Sequence, residues 1–164
     1  MFVWFATFAV LVVVAVFDSP AMDYRYVIIG SVLPVVELAL GHPFVLHTLL
    51  GSVAAFVAVV LVTRGRRVAA RRLVGLPIGM FLHLVADGTW TRAELFWWPF
   101  LGGDSFGHGQ VPETAHLGLS LALEVVGCAA LVWIVRRFAL VDKPARTRFV
   151  RTGRLDISQH GRVC

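Results

Sequence analysis

Apolar residues in this chain come in long runs, not in strict alternation and not as a one-sided helical stripe. Residues 2–17 (FVWFATFAVLVVVAVF), 26–40, 44–63, 73–88 and 116–135 are each dominated by Val, Leu, Ala, Phe and Ile. A helix that is apolar all round belongs in a protein core or in a membrane. Length favours the membrane. Residues 44–63 are twenty in a row without Asp, Glu, Lys or Arg, and about 20 such residues cross the ~30 Å hydrocarbon core of a bilayer. Residues 116–135 are similar, with one acid, Glu124. The first run lacks a positive leader and a clear small-x-small site before Asp18, so it reads as a retained helix and not as a cleaved signal.

The run at 26–40 is the ambiguous one. It holds Pro34 and Glu37 and ends at Gly41-His42-Pro43. At ~1.5 Å per residue it reaches only about 22 Å, short of a full crossing. Either it spans, giving five spans and an outer N-terminus, or it is re-entrant or interfacial, giving four. The expected fold class is therefore all-α: a polytopic membrane helix bundle of four to five spans at 1–140, followed by a basic cytoplasmic tail at 141–164. Residues 94–101 (ELFWWPFL) are dense in aromatics and predict an interfacial segment at head-group level.

Composition strengthens the membrane reading. Of 164 residues, 58% are hydrophobic and the mean hydropathy is +0.79, against about 45–50% apolar in ordinary soluble domains. The net charge is +5, but its placement says more. Thirteen of the fifteen Lys and Arg lie in 64–72 (RGRRVAARR) or from Arg136 onward. Basic residues flanking spans mark the cytoplasmic side. Run 44–63 then goes inward, 73–88 outward and 116–135 inward, which puts 41–43 and 89–115 on the outer face. Topology accounts for the positive charge, so no nucleic-acid partner is expected. Membrane lipid is, with the tail against anionic head groups. Cys128 lies within a span and Cys164 ends the chain, so no disulfide framework is implied.

Polar groups within the spans gather toward one leaflet. His83 and Asp87 are four residues apart and share a helix face. His47 opens the third run and His116 the last. Glu124 follows His116 by eight residues, ~12 Å deeper, with Ser120 between them. Glu37 precedes the Gly41 break. Ionisable groups at membrane depth are costly and mark functional cavities. Imidazoles and carboxylates suit zinc and similar divalent metals, with His47, His83, Asp87 and His116 as candidate ligands and Glu37 or Glu124 as candidate general base. The alternative is structural: His83 and Asp87 bond each other at a helix end, and Glu124 pairs with Arg92 or a partner's helix. There is no phosphate loop, dinucleotide-binding fingerprint or nucleophile elbow.

Three stretches carry a family resemblance: 23–37 (DYRYVIIGSVLPVVE), 47–50 (HTLL) and 79–100 (GMFLHLVADGTWTRAELFWWPF). Together they resemble the YdjM-type family of bacterial and archaeal inner-membrane proteins, described as membrane-bound metal-dependent hydrolases and distantly similar to the zinc phospholipase C and P1 nuclease group. The resemblance implies metal positions at His47, His83 and Asp87 and the second acid at Glu37. It also implies an acid directly after Pro34, where this chain has Val35. Two function classes follow. One is a membrane-embedded hydrolase with an extracytoplasmic His/Asp/Glu site acting on a lipid or phosphoester. The other is a non-catalytic membrane subunit, docked on a membrane-protein partner or a second copy of itself.

Overall fold

The computed structural model describes residues 1–101 and 117–156, and every regular element among them is helical. His108 and His116 lie outside the described residues. Helix α1 is Phe2–Phe17, α2 Tyr24–Val32, α3 Leu49–Val62, α4 Arg67–Leu73, α5 Gly75–Ala86, α6 Ala93–Phe96, α7 Leu117–Arg137 and α8 Lys143–Thr152. Tight 3-10 segments fill Leu33–Leu40, Val45–His47 and Thr89–Thr91. Among the described residues, two helical stretches are long and apolar enough to cross a membrane: Arg67–Ala86, which runs through α4 and α5, and Gly118–Arg137. Helices α1 and α3 are as apolar but shorter, at 16 and 14 residues.

The run at 26–40 is not a single α-helix. Proline has no N–H and clashes with the preceding turn, and the α-helix stops at Val32, two residues before Pro34. The chain tightens into the 3-10 segment, turns at Gly41 (φ 78°) and reverses into Val45–His47. The basic stretch 64–72 is likewise more helical than its sequence suggests, since α4 begins at Arg67.

Small residues set the tightest packing. Helices α2 and α5 cross with Gly30 against the Leu76 carbonyl and Gly79 against the Val27 carbonyl. A Cβ at either position would meet backbone, which cannot move aside. Gly127 plays the same part between α7 and the backbone of Trp4 on α1. Close backbone approach through small residues is how helices associate in lipid, where burial of apolar surface gives no drive. The Trp4 indole N–H donates to the Ala86 carbonyl at 3.4 Å, so the start of α1 and the end of α5 lie at one end of the bundle.

The other end is closed by the tail. Val10, Val13 and Val14 of α1, Tyr24 and Val27 of α2, Leu82 of α5 and Ile134 of α7 form a core that also takes in Leu155. The tail set apart at 141 by composition thus packs back onto the bundle as far as 156. The Gly153 carbonyl accepts from the Tyr24 amide at 2.8 Å, and the Val150 carbonyl from Arg25 Nη1 at 2.6 Å. Asp23 holds that guanidinium two-pronged, at 2.9 and 2.7 Å.

Much of the remaining surface is apolar. Val53, Phe56 and Val57 on α3 and Leu121, Val125 and Val126 on α7 all face outward, with Val125 70% exposed. Only 17% of the α7 window is buried. A core helix of a soluble protein would be largely covered.

Candidate metal centre

His83 sits one turn before the end of α5 and is fully buried. Its Nδ1 lies 2.7 Å from the Ser31 carbonyl of α2. A carbonyl only accepts, so Nδ1 carries the hydrogen in this contact. Pro34 explains why that carbonyl is available. It brings no N–H to the three-residue turn that would otherwise close on Ser31.

His47 is also fully buried, at the end of its short 3-10 turn. Its Nδ1 lies 2.7 Å from Glu37 Oε2. The Glu37 carboxylate also accepts the Phe44 N–H at 2.7 Å and the Leu46 N–H at 2.8 Å. A carboxylate already receiving two amides accepts from the imidazole too, so Nδ1 of His47 is again the protonated nitrogen. With the hydrogen on Nδ1, a cation would be met by Nε2 of each ring, and both Nε2 atoms are buried.

The two rings meet edge to face, with centroids 5.3 Å apart, and Phe5 of α1 covers His83 at 4.0 Å. Asp87 follows His83 by one turn at the C-cap of α5, its N–H bonded to the His83 carbonyl. Its carboxylate is half-buried and accepts from the Thr89 hydroxyl at 2.7 Å. One ligand atom from each of His47, His83 and Asp87 lies within 4.8 Å of the other two. Two imidazoles and a carboxylate form a group that could hold a metal ion.

The other residues singled out by sequence are placed differently. Glu37 stands behind His47 as its hydrogen-bond acceptor and is 4% exposed. From that position its carboxylate fixes the orientation of the His47 ring. Glu124 reaches the same end of the bundle, but its two oxygens accept the Val3 and Trp4 amides at 3.2 and 3.1 Å. Those amides belong to the first turn of α1, which has no intrahelical acceptors for them, and a carboxylate there also complements the helix dipole. Val35, where the family resemblance implies an acid, is buried. His116 lies outside the described residues.

Three supporting groups were not singled out by the sequence reading: the Ser31 carbonyl, the Phe5 ring and the Thr89 hydroxyl. Pro34 was the one sequence signal for the first of them. No protein-family model, curated protein or solved structure matches this chain.

Proposed function

We propose that this chain is a multi-pass protein of the bacterial inner membrane and a metal-dependent hydrolase. Its His47, His83 and Asp87 hold a divalent cation, zinc by preference, at the extracytoplasmic face. The observation that carries the reading is the convergence of those three ligand atoms, with each imidazole Nδ1 already committed to an acceptor. Carboxylate–histidine–metal relays use that arrangement to fix ring orientation and tautomer.

The helix ends and the charges support one topology. Helix α1 starts where α5 finishes, beside the metal group, and the docked tail closes the opposite end. With Arg64–Arg72 and the tail on the cytoplasmic side, α1 runs inward, α2 with its 3-10 extension outward, α3 inward, α4–α5 outward and α7 inward. This would be the five-crossing arrangement. The exposed Trp90, Trp97 and Phe100 would then lie toward the outer end, as an interfacial belt would.

When bound, the metal supplies Lewis acidity toward a phosphoryl or carbonyl oxygen and makes a coordinated water acidic near neutral pH. The protein's own part is positional. Glu37 and the Ser31 carbonyl hold the two imidazoles, Thr89 holds Asp87, and Phe5 keeps water off the buried face of His83. Glu37 and Glu124 are both engaged in hydrogen bonds within the chain, and Asp87 is the half-buried carboxylate of the three. Metal content by mass spectrometry tests the reading, on protein purified without chelator beside the His83→Ala/Asp87→Ala variant. One equivalent of zinc or manganese that disappears in the variant is expected. Equal metal in both, or none in either, overturns it.

Val35 favours a second reading, a non-catalytic membrane subunit, because it removes the acid that the family resemblance implies. The outward apolar face of α7 would then meet a partner helix. Copurification with one protein at fixed stoichiometry, with no bound metal, would support it.

A further inference from the structure

The stretch 64–72 carries five arginines, and the chain has no Asp or Glu anywhere between Glu37 and Asp87. Placement on the cytoplasmic side explains why such charges accumulate there. It does not explain why they line a cavity. Arg66, Arg67 and Arg72 share one of ≈ 750 Å³ with Tyr26 of α2. Among the described residues no carboxylate lines it, and the three arginine side chains make no hydrogen bond or ion pair. The turn that presents Arg66 is closed. Gly65 sits at φ 79°, a conformation costly for other residues, and the Arg66 amide bonds the Thr63 carbonyl at 2.8 Å. Three positive charges thus border one space that the chain itself does not neutralise.

The cavity lies at the end of the bundle opposite the metal group. Tyr26 is in the first turn of α2, two residues past Tyr24, whose amide bonds Gly153 of the tail. Val68, Ala69 and Leu73 make the rest of the lining apolar. Val68 is exposed, as are Leu61 and Val62 at the end of α3 just before the turn, Val62 by 73%. Guanidinium groups hold phosphoryl oxygens two-pronged and are weakly hydrated. Free phosphate would use the arginines and leave the apolar surface in water. A phospholipid uses both, with its head group on the arginines and its first chain carbons against Val62 and Val68.

We infer that this cavity binds the head group of an anionic phospholipid of the inner leaflet, with its phosphoryl oxygens on Arg66, Arg67 and Arg72. Basic pockets beside spans on the cytoplasmic side recognise such head groups. The inference rests on the membrane reading and is independent of the metal. The lipid is a bound ligand at this end of the bundle and not a substrate.

The experiment is native mass spectrometry of the full-length protein in mild detergent, titrated with phosphatidylglycerol or with phosphatidylcholine, which has the same phosphodiester without net charge. Two variants are compared with wild type. Arg66→Gln/Arg67→Gln/Arg72→Gln removes the charges of the cavity. Lys143→Gln/Arg146→Gln/Arg151→Gln removes as many from α8, at the same end of the bundle and outside the cavity. Wild type and the α8 variant are expected to retain one phosphatidylglycerol and to prefer it to phosphatidylcholine. The cavity variant should lose that lipid with its helix content unchanged. Equal retention of the two lipids by wild type overturns the inference without recourse to any variant. Equal loss of phosphatidylglycerol in the two variants reduces the effect to general charge and overturns the cavity. Inorganic phosphate that displaces the lipid from wild type shows a site for a soluble anion and overturns the lipid assignment. Metal content enters none of these outcomes, so failure here leaves the hydrolase reading to its own measurement.

Discussion

Glu37 and His47 are joined by a 2.7 Å contact between Oε2 and Nδ1, and the same carboxylate receives the Phe44 and Leu46 amides. The turn that carries His47 is therefore fastened to the segment before it by a single side chain, which also sets the tautomer of the ring. Glutamine at 37 keeps the shape, loses the charge and puts an amide N–H₂ against one of three donors. Removing such an outer partner typically lowers metal affinity about 10- to 100-fold. Glu37→Gln should weaken zinc binding by that order in a chelator-competition titration, with helix content by circular dichroism unchanged. Unchanged affinity would show that His47 does not ligate, or is held without Glu37.

The helical class and the clustering of polar groups were legible because both depend on local sequence. Uncharged apolar runs force helices, and His83 and Asp87 share a face through their spacing alone. What stayed hidden depends on which elements meet. Glu124 sits in an apolar run at a level that invites a catalytic role, and nothing local reveals that α1 begins beside it with unsatisfied amides. The tail was separable by composition, yet Leu155 and Gly153 belong to the bundle because Tyr24 and Arg25 reach them. The break at Val32 could have been placed from Pro34. The use of the Ser31 carbonyl could not, since His83 arrives from 52 residues away.

Glu124 gives the sharpest contrast with the metal group. Its carboxylate caps α1, and loss of a capping acceptor typically destabilises by about 0.5–2 kcal/mol. Glu124→Ala should lower the thermal midpoint in detergent while metal content stays at the wild-type level. Loss of metal with no change in stability would return Glu124 to the site.

Two glycines separate packing from propensity. A methyl at Gly79 meets the Val27 carbonyl and the Ser31 amide, whereas one at Gly118 has nothing within 4 Å among the described residues. Overpacking against immobile atoms typically destabilises by about 1–3 kcal/mol. Alanine in an open helical position gains up to about 1 kcal/mol over glycine. Gly79→Ala should therefore unfold at lower temperature than wild type, and Gly118→Ala should be neutral or slightly stabilised. Gly79→Ala should also lose metal, because the α2–α5 crossing carries the Ser31–His83 contact. Equal midpoints for the two variants would mean that the crossing is looser than Gly30 and Gly79 make it.

Pro34 tests whether a missing backbone N–H shapes the site. With alanine there, the new amide can close a three-residue turn on the Ser31 carbonyl and compete with His83 Nδ1 for it. Proline in place of alanine also restricts the unfolded chain, so the substitution sacrifices a little stability, about 0.4–1 kcal/mol. The distinguishing readout is therefore the ligand. Pro34→Ala should weaken zinc binding severalfold, and the His83 side-chain resonances should shift as its Nδ1 hydrogen loses a fixed acceptor, while those of His47, held by Glu37, stay in place. A variant that is slightly less stable but binds zinc as wild type does would mean that Pro34 only ends α2. Weaker binding with the His83 shift would make this proline a determinant of the metal group two helices away in sequence.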